Sequence, residues 1–456
     1  MSLFKAYDIR GVVPDELDGD AIEGIATAFA YYLNEQSLPQ DRPLTVIVGR
    51  DNRATSEEYA IRAIRGFTES GIDVIDIGLA STPYFYYAAS SQNTDGGMMI
   101  TASHNPPHYN GCKLVGARAR PIGVDSGLPR IEHLYTERHK LAATRRGVVT
   151  KAELLERYIT ENIALGRMAD TPLTPLTVVV DTGNGVSALM CEALFHRVPV
   201  RLIKLFFELD GTFPNHMPNP LEEKNTAALR QRVVQEHADV GIAMDADGDR
   251  SIFIDEKGET ISSDLITALM ASDILTHHPN ETVLYDVRSS WTVSETIRAH
   301  GGRPLATRVG HAFIKNDMRR EHAIFAGELS GHFYYRLSDD TYYEAPLAVI
   351  ISLLRIISHA KQPLSKIISR LRRYFATGEI NFTVVADKTA KMAEIEDAFR
   401  NADRIDKLDG ITIEYPDWWC NVRPSNTEDL LRLNLEAKTE QLRDNQLRAI
   451  KKIIEQ

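Results

Sequence analysis

PLTVVVDTGNG, residues 175–185, is a β-branched run that ends in a polar turn, and the chain writes the same phrase twice more. Residues 43–53 read PLTVIVGRDNR and residues 281–290 read ETVLYDVRSS. A short apolar run without alternation is what a strand buried on both faces of a parallel sheet requires. A helical segment is expected after each; in 57–70, Tyr59, Ile61, Ile64 and Phe67 recur at roughly helical spacing. Further along each unit comes a second echo: GGMMITASHNP at 96–106, ADVGIAMDADGDR at 238–250 and HAIFAGELSGH at 322–332. Each is again a short apolar strand entering a loop of Ser, His, Asp or Glu. Open parallel sheets place ligands at the carboxyl ends of their strands. A duplicated scaffold can keep a single working loop, but here all three are chemically loaded, which favours convergence on a shared cleft.

From about Arg370 the rhythm changes. Leu431, Leu433 and Leu435 alternate as in a half-buried strand, and Glu440–Ile454 carries Leu442, Leu447, Ile450 and Ile454 on one side of a closing helix. The expected fold class is α/β, with three similar domains of mixed or parallel sheet and a smaller C-terminal α+β domain. The boundaries fall at 1–148, 149–255, 256–368 and 369–456. A chain of 456 residues also exceeds what one hydrophobic core organises.

Charge narrows the partners. Lys plus Arg number 52 against 63 Asp plus Glu, a net charge of −11, which argues against nucleic acid or an anionic membrane. A small anionic substrate is compatible, because a pocket can be basic on an acidic protein. Cys112, Cys191 and Cys420 are sparse and lack metal-ligand spacing, as expected in a reducing cytoplasm. No secretory core follows Met1, and the most apolar stretch, Ala345–Ile357, is broken by Arg355 and too short to cross a bilayer. It reads as a buried helix.

The loops carry the chemistry. Asp245, Asp247 and Asp249 alternate after an apolar strand, and alternation puts three carboxylates on one face of an extended segment. Such crowding calls for a hard cation, and Mg²⁺ takes oxygen ligands while keeping room for phosphate; a solvated acidic turn is the plain alternative. A calcium loop of the EF-hand type, with Glu256 at its twelfth position, fails because Arg250 occupies the position that needs glycine and a strand leads in. Arg250 suits a phosphate at the metal.

Thr101-Ala102-Ser103-His104-Asn105-Pro106 follows another apolar strand. A serine there becomes a phosphoryl carrier if a base or cation supports it, although most Ser-His pairs in loops only satisfy turns. No G-x-S-x-G elbow surrounds Ser103, which disfavours a hydrolase triad. Glu328 and Ser330, with His332 close by, offer the acceptors that sugar hydroxyls need; a capped turn is the bland reading. Arg423, Ser425, Asn426 and Thr427 supply donors able to wrap a phosphate, or simply a turn.

Taken together, the strings resemble the α-D-phosphohexomutase family, most closely its bacterial phosphomannomutase/phosphoglucomutase members. The resemblance rests on YDIRG at 7–11, TASHNP at 101–106, NGCK at 110–113, DADGDR at 245–250, VGH at 309–311, GELSGH at 327–332 and RPSNTE at 423–428. It implies a heart-shaped four-domain fold with a central cleft. It implies that Ser103 is a phosphoserine and that Ser103, Asp245, Asp247 and Asp249 hold one Mg²⁺. Arg10, His104 and Lys113 would surround the transfer site. Glu328 and Ser330 would bind sugar hydroxyls, Arg423, Ser425, Asn426 and Thr427 the non-reacting phosphate, and Tyr7, Arg250, Arg288, His311 and His332 would complete the pocket. The implied reaction interconverts hexose 1- and 6-phosphates through a hexose 1,6-bisphosphate, which also serves as activator. Mannose is the favoured sugar, with glucose accepted.

Three positions depart from the family pattern. Asp429 stands where many members carry proline, Ala246 where glycine is common, and Arg288 near a customary lysine. Arginine keeps the charge but changes donor geometry. The alternatives are a phosphoglucosamine mutase, a phosphatase using the same groups, or a sugar-phosphate binding protein without turnover. Intact Ser103, Lys113 and the three aspartates speak against the last.

Overall fold

Every one of the six echoed runs is a strand, and the strands of each pair lie side by side. The computed structural model describes residues 3–37, 42–170, 173–338, 340–383, 387–425 and 430–455. The first sheet holds β1 (Ile9–Val12), β2 (Thr45–Arg50), β3 (Asp73–Leu79), β4 (Gly96–Ile100), β5 (Tyr109–Gly116), β6 (Arg120–Pro121) and β7 (Val149–Lys151). Their order is β1-β5-β4-β2-β3-β7, with β6 beside β5. The second sheet holds β8 (Thr177–Asp181), β9 (Arg201–Leu205), β10 (Val240–Met244), β11 (Ser251–Asp255) and β12 (Thr260–Ile261), in the order β12-β11-β10-β8-β9. In both sheets the first-echo strand lies between two parallel neighbours, and one of these is the second-echo strand: β4 beside β2, β10 beside β8. The third copy repeats this, with β13 (Thr282–Asp286) parallel to both β14 (Arg303–Thr307) and β15 (Phe325–Gly327). Parallel pairing of the echoes sends both carboxyl-end loops off the same edge of each sheet.

Spatially the chain forms two compact units, Met1–Ile261 with Ser330–Ser365 and Ser262–Leu329 with Lys366–Gln456. The antiparallel hairpin of β16 (Phe333–Ser338) and β17 (Thr341–Glu344) therefore belongs to the first unit. So does the apolar stretch, which is a buried helix, Pro346–Ala360. The second unit ends in an antiparallel sheet of β18 (Phe375–Thr383), β19 (Arg404–Asp406), β20 (Ile411–Glu414), β21 (Trp418–Pro424) and β22 (Leu430–Ala437), ordered β18-β22-β21-β20-β19. Leu431, Leu433 and Leu435 of β22 share a core with Ile450 and Ile454 of the helix Glu440–Glu455, with Leu442 and Leu447 packed at its margin. The helix Ser56–Glu69 corrects one expectation. It buries Tyr59 and Phe67, but Ile61 points to solvent.

A small device recurs at the end of each first-echo strand. Asp51, Asp181 and Asp286 each accept the backbone N–H two residues on, from Arg53 at 3.0 Å, Gly183 at 2.9 Å and Arg288 at 2.7 Å. Each carboxylate also faces a basic side chain: Arg53 at 3.2 Å, His216 at 3.0 Å and Arg288 at 2.8 Å.

Candidate active site

The loop after β4 is held in a conformation that few residues adopt unforced. Ser103 has φ 51°, in the left-handed region, and is 1% exposed. Such a conformation persists only where its surroundings fix it. Here the Ser103 N–H donates to Thr101 Oγ1 at 2.9 Å, and the hydroxyl lies 3.1 Å from His104 Nδ1. Buried Arg53 does more. Its guanidinium donates to the carbonyls of Ser103 (2.6 Å), Asn105 (2.7 Å), Pro106 (2.9 Å) and Tyr109 (3.0 Å). Phe213 lies over that guanidinium, 5.1 Å from its ring centre.

Arg10 approaches the same loop from β1. That strand pairs with β5 so that Arg10 is opposite Gly111, where any Cβ would sit 2.0 Å from the Ile9 carbonyl oxygen. The Arg10 side chain bonds Asp8 at 2.8 Å and Asn105 Oδ1 at 2.5 Å. Tyr7, next to it, is half-buried.

The aspartates come together differently from the sequence expectation. They lie not in an extended segment but in a turn past β10, where Gly248 has φ 70° and its N–H bonds the Asp245 carbonyl at 3.2 Å. Turn curvature, not strand alternation, brings one oxygen of each carboxylate within 4.8 Å of the others. All three are buried, and among the described residues Asp245 Oδ2 and Asp247 Oδ1 accept no hydrogen bond. A buried carboxylate oxygen without a hydrogen-bond donor is costly. Burial, then Asp249 and Asp247, push the Asp245 carboxyl well above its usual range. The donor set is all oxygen and anionic, which fits a hard divalent cation. Glu256 is turned elsewhere, its carboxylate accepting from the Ser365 hydroxyl and from the Ser365 N–H at 3.0 Å.

Lys113, from β5, reaches the aspartate turn. Its ammonium lies 2.8 Å from Asp247 and 2.6 Å from Asp249; burial works against its charge, but those two carboxylates outweigh it and keep it protonated. Thr82 donates to Asp247 Oδ2 at 2.7 Å. His332 Nε2 sits 3.2 Å from Asp249, while its Nδ1 is 2.9 Å from the Ser330 hydroxyl. Arg250 Nε lies 3.7 Å from Asp245 and 3.4 Å from His332 Nε2. His104 is pushed well below the usual histidine value by burial, then by Arg250 and Arg10, so its imidazole is neutral.

The second unit brings Arg288, Glu328 and Arg423 into one cluster. Arg288 bonds Asp286 at 2.8 Å, Glu328 at 3.2 Å and Glu379 at 3.2 Å. Arg423 and Arg432 reach the same Glu379 at 2.8 and 3.1 Å. His311 opens the helix His311–Glu321 and is 9% exposed. The Ser425 N–H bonds the Leu430 carbonyl at 2.9 Å, whereas Asn426, Thr427 and Asp429 lie outside the described residues. The string GELSGH thus straddles the two units, Glu328 in one and Ser330 in the other.

Sequence reasoning missed Arg53, Thr82, Glu379 and Arg432. For Arg53 a signal existed in the polar end of PLTVIVGRDNR, the counterpart of the turn that carries Arg288.

Comparison with known proteins agrees with this architecture. Models of phosphoglucomutase/phosphomannomutase α/β/α domains I, II and III match residues 1–141, 156–258 and 262–374, and the C-terminal domain model matches 379–452. A phosphomannomutase of Salmonella typhimurium is 37% identical over 447 residues, covering 96% of this chain and 95% of that protein. A phosphomannomutase/phosphoglucomutase of Pseudomonas aeruginosa is 36% identical over 453 residues, covering 96% and 92%. The solved structure of a phosphoglucomutase/phosphomannomutase family protein from Burkholderia thailandensis superposes with a TM-score of 0.89 at 30% identity, covering 99% of this chain and 96% of that one. With all four domain models matched in order and full-length relatives this similar, the chain belongs to the phosphoglucomutase/phosphomannomutase family.

Proposed function

We propose that the protein is a cytoplasmic phosphohexomutase that interconverts hexose 1-phosphates and hexose 6-phosphates, mannose and glucose being its sugars. The observation that carries this reading is that one unit holds Ser103 beside neutral His104, whose ring feels the charges of Arg250 and Asp249, together with charged Lys113 on three clustered, buried aspartates. Ser103, Asp245, Asp247 and Asp249 are the ligands proposed for one Mg²⁺, which when bound would neutralise charge on the transferring phosphoryl group. In the forward step the phosphoserine P–O bond breaks as a P–O bond to the sugar hydroxyl forms. His104 is suited to take the hydroxyl proton, while Arg10, Lys113 and Arg250 offset charge on the phosphate oxygens. The hexose 1,6-bisphosphate then presents its other phosphate to Ser103, which recovers a phosphoryl group, so added bisphosphate acts as activator. Glu328, Ser330 and His332 would orient the sugar, with Tyr7 and His311 at its margins. Arg423, Ser425, Asn426 and Thr427 would hold the non-reacting phosphate, with Arg288 alongside. Three buried free cysteines suit a reducing compartment.

The test is turnover of mannose 1-phosphate, glucose 1-phosphate and glucosamine 6-phosphate with Mg²⁺ and catalytic bisphosphate, for wild type and Ser103→Ala. The expected result is a 6-phosphate product from the first two that largely disappears in the variant. Dominant activity on glucosamine phosphate would reassign the sugar; steady release of inorganic phosphate would make the protein a phosphatase.

A further inference from the structure

Three guanidiniums share one carboxylate in the second unit, and that carboxylate lies on an irregular piece of strand. Arg288, Arg423 and Arg432 approach Glu379 at 3.2, 2.8 and 3.1 Å, each within ion-pair distance. Counting Asp286 and Glu328 as well, the ion pairs among these described residues set three cations against three carboxylates, which balance. A phosphate dianion entering it would face no net positive charge unless one carboxylate left. Only one is placed to leave. The side chains of Asp286 and Glu328 are 0% and 4% exposed, whereas that of Glu379 is 22% exposed. Asp286 is also tied to the backbone N–H groups of Arg288 at 2.7 Å and Leu329 at 2.8 Å.

The backbone around Glu379 allows the movement. Pairing of β18 with β22 shifts register between Ala376 and Glu379, and Gly378 has φ 69° with nothing within 4 Å of a would-be Cβ. On the receiving side, Arg423 is 2% exposed and its Nε, though buried, has no hydrogen-bond partner among the described residues. Guanidinium forks donate to carboxylate and phosphate oxygens with the same geometry.

We propose that Glu379 is a displaceable stand-in for phosphate: its carboxylate fills the Arg288–Arg423–Arg432 cluster in the free protein and is turned out when the phosphate of a ligand takes over those donors. The inference rests on the reading of Arg423 as a phosphate ligand and adds to it a built-in competitor. Such a competitor weakens ground-state binding, which assists release and turnaround of a bisphosphate.

The experiment measures binding of inorganic phosphate to the full-length protein by calorimetry, for wild type, Glu379→Gln, Arg423→Gln and the double variant. The expected result is phosphate affinity tighter on the order of tenfold in Glu379→Gln, a gain that Arg423→Gln in the same chain cancels. Equal or weaker binding by Glu379→Gln would overturn the inference and leave Glu379 as a fixed organiser of the arginines. If Arg423→Gln alone changes neither phosphate affinity nor the KM for sugar phosphate, the phosphate-loop reading fails and the inference with it. Should Glu379→Gln not fold, Glu379→Asp serves: drawing the charge back by one methylene should tighten phosphate binding, and weakened binding would overturn the proposal.

Discussion

Arg53 donates from Nη2 to the backbone carbonyl of Ser103 at 2.6 Å, so the residue proposed to carry phosphate is positioned by a side chain fifty residues earlier in the chain. Three further carbonyls of the same loop depend on that guanidinium. Arg53→Gln keeps some polarity but cannot span four acceptors. We expect kcat for the mutase reaction to fall on the order of 10²-fold with little change in KM, because misplacement by about 1 Å costs roughly that much. Steady-state kinetics checks the split. A fall in apparent affinity at constant kcat would mean that Arg53 acts on binding instead.

Removing charge from the aspartate turn should separate stability from activity. Asp245 Oδ2 is buried and accepts no hydrogen bond among the described residues, and Asp245→Asn removes a charge that burial, Asp249 and Asp247 all oppose. The variant is expected to be more stable than wild type by about 1–3 kcal/mol in metal-free buffer. Its turnover should fall on the order of 10²-fold or more. Wild type should gain stability on adding Mg²⁺, by about 2.7 kcal/mol at a hundredfold excess over Kd, and chelation should reverse this. Thermal melts with and without Mg²⁺, run on both proteins, test the whole set; a wild type indifferent to Mg²⁺ would contradict it.

Acid should dissolve the cluster around Glu379. Burial raises that carboxyl, but Arg288, Arg423 and Arg432 outweigh it and bring it from 4.5 to about 2. A carboxylate lowered on folding adds stability above its unfolded value and loses it as pH falls through the folded one. The contribution, about 3 kcal/mol from the size of the shift, is thus complete above pH ~4.5 and gone near pH 2. Denaturation of wild type and Glu379→Gln should differ clearly at pH 5.5 and converge as pH drops toward 3.

His216 should behave in the opposite sense. Burial lowers its basicity, but the Asp181 carboxylate, 3.0 Å away, and the Met217 carbonyl raise it past the ordinary value of 6.5. A histidine raised on folding contributes fully below its unfolded value and loses that contribution as pH climbs through the folded one. His216→Asn should therefore cost about 1–3 kcal/mol at pH 6 and less at pH 9, read by urea melts at the two values. A cost that does not shrink with rising pH would show that the imidazole matters only for packing.

Much of this architecture is legible in the sequence because its causes are local. A run such as Thr177–Asp181 buries three consecutive valines ahead of its terminal aspartate, and the helix Pro346–Ala360 announces itself by composition. The Ser103 and Asp245 loops are legible for a related reason, since reactive side chains crowd into a few consecutive positions. What sequence concealed depends on long-range contact. Arg53 meets Ser103 across 50 positions and Glu379 meets Arg423 across 44, and neither partner marks the other. Alternation also misled at the aspartates, where positive φ at Gly248 bends into a turn what a strand would have spread out.

The thrice-built aspartate turn carries a consequence for change. At Asp51, Asp181 and Asp286 the backbone N–H two residues on supplies the hold, and any residue but proline can donate it. The side chain facing the carboxylate therefore differs from copy to copy: arginine secures the serine loop in one, histidine answers in the second, and arginine meets Glu328 in the third. One socket, three fittings. The first two copies touch, Asn52 donating to the Asn184 carbonyl at 2.8 Å, so a change in either turn is felt by the other, and each turn is an address at which new behaviour can be grafted without redrawing the sheet beneath.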